Sequence, residues 1–187
     1  MTIEKKKDRR TLYTQKAIKE TLLSELSKKP FSKITVTELC KIAEINRGTF
    51  YLHYIDIYHV LDDIITDALS DTHYVLNSAL CLNQEQCSYP LCEKMRHKGI
   101  YQPLFFDAIT STRLIDKIIE STKVDFIKKL MEQSSLTFEE AEAILRFQIN
   151  GCHTLIKMMI KNQSTDWEKI KSVIDQFITS GIKCFLN

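Results

Sequence analysis

Residues 35–54, TVTELCKIAEINRGTFYLHY, prescribe two short helices joined by a tight turn, and little else can be built from them. Val36, Leu39, Cys40 and Ala43 recur at helical spacing, so the first helix has one apolar face. Thr35 is a good N-cap, and Glu38 three residues on completes a capping box. Glu44 and Ile45 break the run, with Ile45 the apolar residue expected to pin the turn to a core. Asn46 is again a strong N-cap. In the helix that follows, Phe50 and Tyr54 share a face by the i, i+4 rule, which leaves Arg47, Thr49, Tyr51 and His53 polar and outward.

Such a helix has the chemistry to sit against nucleic acid. Arginine grips guanine O6 and N7 bidentately, threonine bonds phosphate or touches a thymine methyl, and tyrosine donates to a phosphate oxygen. Gly48 costs about 1 kcal/mol relative to Ala inside a helix, and its missing side chain lets a DNA strand come close. The plainer reading is an α-helical hairpin with a polar outer face.

The residues around this stretch resemble the TetR/AcrR-type bacterial transcriptional regulators. The resemblance covers roughly residues 8–68 and is carried by ITVTELCKIAEINRGTFYLHY and the following IYHVLDDII. It implies an all-α protein: a three-helix helix-turn-helix head at 8–68, with the motif itself at about 35–54, and a larger helical effector and dimerisation body at 69–187. It also implies a homodimeric repressor of a double-stranded DNA operator, released by a small-molecule or protein effector. The positions that would hold DNA are Thr35, Thr37, Asn46, Arg47, Gly48, Thr49, Tyr51 and His53. Two residues depart from the family pattern. Glu44 stands where glycine is usual, so the turn is made without it. Ile57 stands where the family usually has a lysine that touches phosphate or packs on the recognition helix, so one backbone anchor is missing or replaced by Tyr58 or His59.

Charge agrees with a DNA-facing head. Residues 1–54 hold 12 Lys/Arg against 6 Asp/Glu, net +6, whereas residues 55–187 hold 14 against 18, net −4. A basic head can approach phosphate while an acidic body need not. Residues 1–7 form a basic arm, read either as a frayed terminus or as a non-specific phosphate or minor-groove contact. No apolar h-region follows that charged start, and no apolar segment approaches the ~18 residues of a membrane span. A cytoplasmic protein with mostly reduced thiols is therefore expected, without cofactor or bound metal. An enzyme is not expected either: the chain has no Gly-rich phosphate loop, GxSxG elbow or HExxH, and its five histidines lie far apart.

The remaining chain reads as helices with short links, as 4 Gly and 3 Pro in 187 residues suggest. A first helix over 9–28 carries Ile18, Leu22 and Leu26 as its stripe. A long helix capped by Asp56 reaches about residue 77. Cys81, Cys87, Cys92 and His97 are spaced unlike the common zinc modules, which leaves a metal or redox sensor open beside plain thiols. The aromatic segment 100–109 is expected to face the interior, either as core or as the lining of an effector pocket. Tyr101, Phe105, Phe106 and His153 are the candidates for such a pocket, with a core histidine as the plainer reading of His153. Helices are expected over 112–133, 138–161 and 166–185, the second opened by a Thr137–Glu140 capping box. In the last, Ile170, Ile174, Phe177, Gly181 and Cys184 form one stripe. Gly151 and Gly181 are costly inside helices, and a close helix–helix approach, in the core or across a dimer, accounts for them.

Overall fold

Side-chain caps start the helices where the spacing of hydroxyls and carboxylates places them. The Thr35 hydroxyl accepts the Glu38 N–H at 3.3 Å, Asn46 Oδ1 accepts the Thr49 N–H at 2.7 Å, and Asp56 Oδ1 accepts the His59 N–H at 2.8 Å. Thr137 and Glu140 make the reciprocal box, with the Thr137 N–H on Glu140 Oε2 at 2.8 Å. The computed structural model describes residues 9–70, 99–163 and 166–186. These hold eight α-helices: α1 (Arg9–Leu26), α2 (Val36–Ile42), α3 (Arg47–Tyr51), α4 (Ile57–Leu69), α5 (Pro103–Phe106), α6 (Ala108–Gln133), α7 (Phe138–Lys161) and α8 (Trp167–Lys183). Phe31–Lys33 and Gly99–Tyr101 are 3₁₀ turns. The protein is all-α, a small helix-turn-helix head on a larger helical body.

A helix of 5 residues such as α3 has no independent stability in water, so tertiary packing must hold it. Phe50 on its inner face and Tyr54 three residues past its end do so, both part of one buried cluster with Ile18, Leu22, Phe31 and Leu39. Removing a fully buried Phe ring typically costs about 3–5 kcal/mol, more than any contribution α3 makes by itself. The Tyr54 hydroxyl donates to Asp63 Oδ2 at 2.7 Å, and Lys19 of α1 pairs with Asp63 and Asp67 of α4. Burial and that carboxylate push the Tyr54 phenol well above its ordinary pKa, so it stays a donor.

The same hydrophobic cluster continues through Val60, Leu61, Ile64 and Ile65 of α4 to Leu104, Phe105, Leu114, Ile118, Ile156, Met159 and Trp167. A second, smaller cluster joins Phe126, Ile127 and Leu130 of α6 to Ala141 and Leu145 of α7.

Six details differ from the expectations above. Thr35 caps α2 by accepting the Glu38 N–H, but the Glu38 carboxylate pairs with Lys29 instead of completing a box. The second helix of the pair ends at Tyr51, which leaves His53 and Tyr54 beyond it. The first helix ends at Leu26 rather than residue 28, because Lys28 and Lys29 both turn their N–H groups onto Glu25 O ahead of Pro30. The helix expected from 112 begins at Ala108, because Asp107 caps it. Phe106 does not face the interior: it is 46% exposed, while Leu104 and Phe105 turn in. In α8 the stripe is rotated. Trp167 and Asp175 are buried and Ile170, Ile174, Ile178 and Ile182 half-buried, whereas Phe177, Gly181 and Cys184 face solvent. The residues expected in the basic arm, the end of the long helix and the Cys81, Cys87, Cys92, His97 cluster lie outside the described residues.

Candidate nucleic-acid interface

The turn between α2 and α3 sets the direction of the second helix. Ile45 N–H closes back onto Cys40 O at 3.0 Å, the long bond of a Schellman ending, and Ile45 packs on the head's core as expected. That ending requires a left-handed residue, and Glu44 supplies it at φ 54°. A side chain held there costs about 1–2 kcal/mol in backbone strain. Glu44→Gly is therefore expected to stabilise the protein by roughly 0.5–1 kcal/mol, after allowing for glycine's entropy, and to raise Tm by about 1–4 °C. Thermal denaturation checks this; a lowered Tm would mean that the Glu44 side chain contributes more than the strain it carries.

On the exposed face of α3, Arg47 is braced by its own helix. Its Nη2 donates to Tyr51 Oη at 3.3 Å and its guanidinium lies 5.8 Å from the Tyr51 ring centroid. This cation–aromatic contact orders a long side chain in advance, so less entropy is lost when the fork meets a base or phosphate. Tyr51 itself is 49% exposed. Thr49 is half-buried and its hydroxyl donates to Asn46 Oδ1 at 3.1 Å, so Asn46 and Thr49 hold one another and the helix start. Gly48 has a local reason as well: a Cβ there would meet Asn46 Oδ1 at 3.2 Å and crowd the cap. His53 is half-buried at the end of α3.

Thr35 and Thr37 are exposed on α2, where they line an open concavity with Glu38, Lys41 and Ile42. Lys41 is absent from the expected set, although its place four residues after Thr37 puts both on one side of α2. Leu52 and Ile55 are also absent from it, and they are 81% and 78% exposed just past Tyr51. Apolar side chains on such a face match the thymine methyl. Both residues suggested as substitutes for the missing lysine are exposed and also held within the chain. Tyr58 packs its ring on Phe31 at 5.0 Å and under Arg113 at 5.2 Å, and His59 Nδ1 accepts the Ile55 N–H at 3.3 Å.

In the body, Phe105 is fully buried and stacks on His153, with ring centroids 5.2 Å apart and planes at 13°. His153 Nε2 is buried with no hydrogen-bond partner among the described residues. Burial, then the nearby Lys157 charge, lower its pKa, which keeps the imidazole neutral at pH 7. Tyr101 is half-buried at the core's margin, where it lines a cleft with Lys19 and Leu23 of α1 and Ile64 of α4, and Phe106 is exposed. Among the described residues no group of His, Cys, Asp and Glu could hold a metal ion, and no helix is long and apolar enough to cross a membrane.

Together the capped helical pair and the exposed Arg47 face define an all-helical protein with a helix-turn-helix head. The likenesses to known proteins fall in the same class. Over 50 residues, 27% of this chain, the sequence is 36% identical to an uncharacterized HTH-type transcriptional regulator, YxbF, of Bacillus subtilis (strain 168). That stretch is 13% of YxbF, so the chain spans only a small part of this relative. The fold is similar to that of the dihydroxyacetone kinase operon activator DhaS, with a TM-score of 0.59 over 93% of this chain and 98% of that one, at 18% identity. No family model matches the sequence.

Proposed function

We propose that the protein is a sequence-specific DNA-binding transcriptional regulator of TetR/AcrR type, acting as a homodimeric repressor. The observation that carries this reading is the outer face of α3, where Arg47 stands exposed and braced on Tyr51, together with Thr35, Thr37 and Lys41 exposed at and along α2. Arg47 and Thr49 read base edges or the adjoining phosphates, while Thr35, Thr37, Tyr51, His53 and Lys41 hold the backbone. Asn46 and Gly48 shape the helix start that presents them.

One such head covers too few bases to specify a site, so two act together on a near-palindromic operator. The outer faces of α7 and α8 suit the pairing. Phe147, Val173 and Phe177 are 70%, 57% and 63% exposed, and a Cβ at Gly151 or Gly181 would meet nothing within 4 Å among the described residues. Exposed aromatics beside glycines that serve no contact among the described residues match a partner's helices packing closely on them. The effector site is assigned to the Phe105–His153 stack, where the buried Nε2 offers one hydrogen bond to a ligand.

Salt tests the DNA reading. Affinity for duplex DNA is expected to fall steeply with ionic strength, each neutralised phosphate adding about −0.9 to the log–log slope. A flat profile would contradict the role given to the basic head.

A further inference from the structure

One carboxylate ties the body to the head. Asp107 precedes α6, and its Oδ1 accepts the Ile109 and Thr110 N–H groups at 2.9 and 3.0 Å, capping that helix. Its Oδ2 accepts the Phe31 N–H at 3.0 Å, across 76 residues of sequence. Phe31 is fully buried and opens the 3₁₀ turn that carries the chain from α1 into α2.

A second grip lies on the same stretch of α6. Arg113 donates from Nε and Nη2 to the two carboxylate oxygens of Asp62 at 2.9 and 2.8 Å. It also lies over Tyr58, whose ring meets the Phe31 ring edge-on at 5.0 Å and 70°. Phe31 is thus held twice by the start of one body helix, at its N–H by Asp107 and at its ring through Tyr58 and Arg113. We propose that Asp107 is a positioning residue for DNA binding: it fixes the angle of the head, and with it the direction of α3, relative to the body. The proposal rests on the DNA reading for its consequence and on the Phe31 hydrogen bond for its cause.

Asp107→Asn separates the two duties of the carboxylate. The amide oxygen still caps α6, since Asn is as good an N-cap as Asp and two N–H groups wait on that side against one on the other. The amide nitrogen then faces Phe31 N–H, donor against donor, and the bond to the head is lost. A generic destabilisation would loosen α6 and the head alike, whereas loss of the latch alone would not.

Hydrogen exchange on the full-length chain reads the cause. In Asp107→Asn the Phe31 amide is expected to exchange at least tenfold faster, with the first-turn amides of α6 unchanged. Asp107→Ala should speed both. Binding reads the consequence, on a duplex enriched from random fragments by the wild-type protein. Affinity for that duplex should fall about five- to tenfold in Asp107→Asn, while affinity for random-sequence DNA stays unchanged. An unchanged Phe31 amide overturns the latch. A faster amide with unchanged or raised affinity for the selected duplex overturns its role in positioning. Should the wild type enrich no duplex, the DNA reading itself fails and the positioning role falls with it, whatever the exchange shows.

Discussion

Replacing Phe147 and Phe177 together with Asp is expected to leave a folded monomer that no longer selects any DNA sequence. Both rings are mostly in water in the single chain, at 70% and 63% exposure, so their loss removes little intramolecular packing. Surface changes of this kind usually stay within about 0.5 kcal/mol of neutral for the chain's own stability. In a dimer the same positions lie in an interface of ~800 Å² per partner, where two buried, unpaired carboxylates per subunit cannot be accommodated. Sedimentation velocity and circular dichroism check the two halves of the expectation. A double variant that sediments as a dimer would place the subunit contact on some other surface.

Arg47→Ala is expected to cost about 1–3 kcal/mol on the cognate site, roughly 5- to 150-fold in affinity, with far less loss on random sequence. Arg47→Lys should rescue little of it. Lysine keeps the charge but not the planar fork that meets guanine at two points, and it loses the guanidinium's hydrogen bond to Tyr51 Oη. Neither change should lower stability appreciably, because Arg47 is exposed and its hydrogen bond to Tyr51 lies within its own helix. Titrations of both variants against the selected duplex and a scrambled one decide the matter. Equal losses on both duplexes would demote Arg47 to a phosphate clamp.

The two expectations depend on features of unequal visibility in the sequence. The caps at Thr35, Asn46, Asp56 and Thr137 were legible because each is a local bond spanning about three residues. The bounds of α7 follow from its box and its stripe, and they agree at 138–161. The outward face of α3 was legible from Phe50 and Tyr54 alone, since both must be buried.

The face of α8 was not. Its 17 residues carry two apolar stripes, Ile170–Ile174–Ile178–Ile182 and Val173–Phe177–Gly181. Periodicity of 3.6 finds both and cannot say which one packs within the chain and which waits for another surface. Phe106 was misplaced for a related reason: in the four-residue α5 three apolar side chains follow Pro103, and only two can turn inward. The Asp107 bond to Phe31 and the Arg113 fork on Asp62 join residues 76 and 51 apart, distances over which no local rule reaches. Glu44 shows the converse. Its departure from glycine was visible in the sequence, and the left-handed φ reports what that departure costs.

Selection of bound fragments from random duplex DNA by the purified protein decides whether two heads read one operator. The recovered sequence is expected to have two-fold symmetry, with half-sites centred about one helical turn, ~34 Å, or a multiple of it apart, and to be lost from the pool when Arg47→Ala is used instead. Recovery of a single unsymmetrical site, or no enrichment by the wild-type protein, would contradict the two-headed reading.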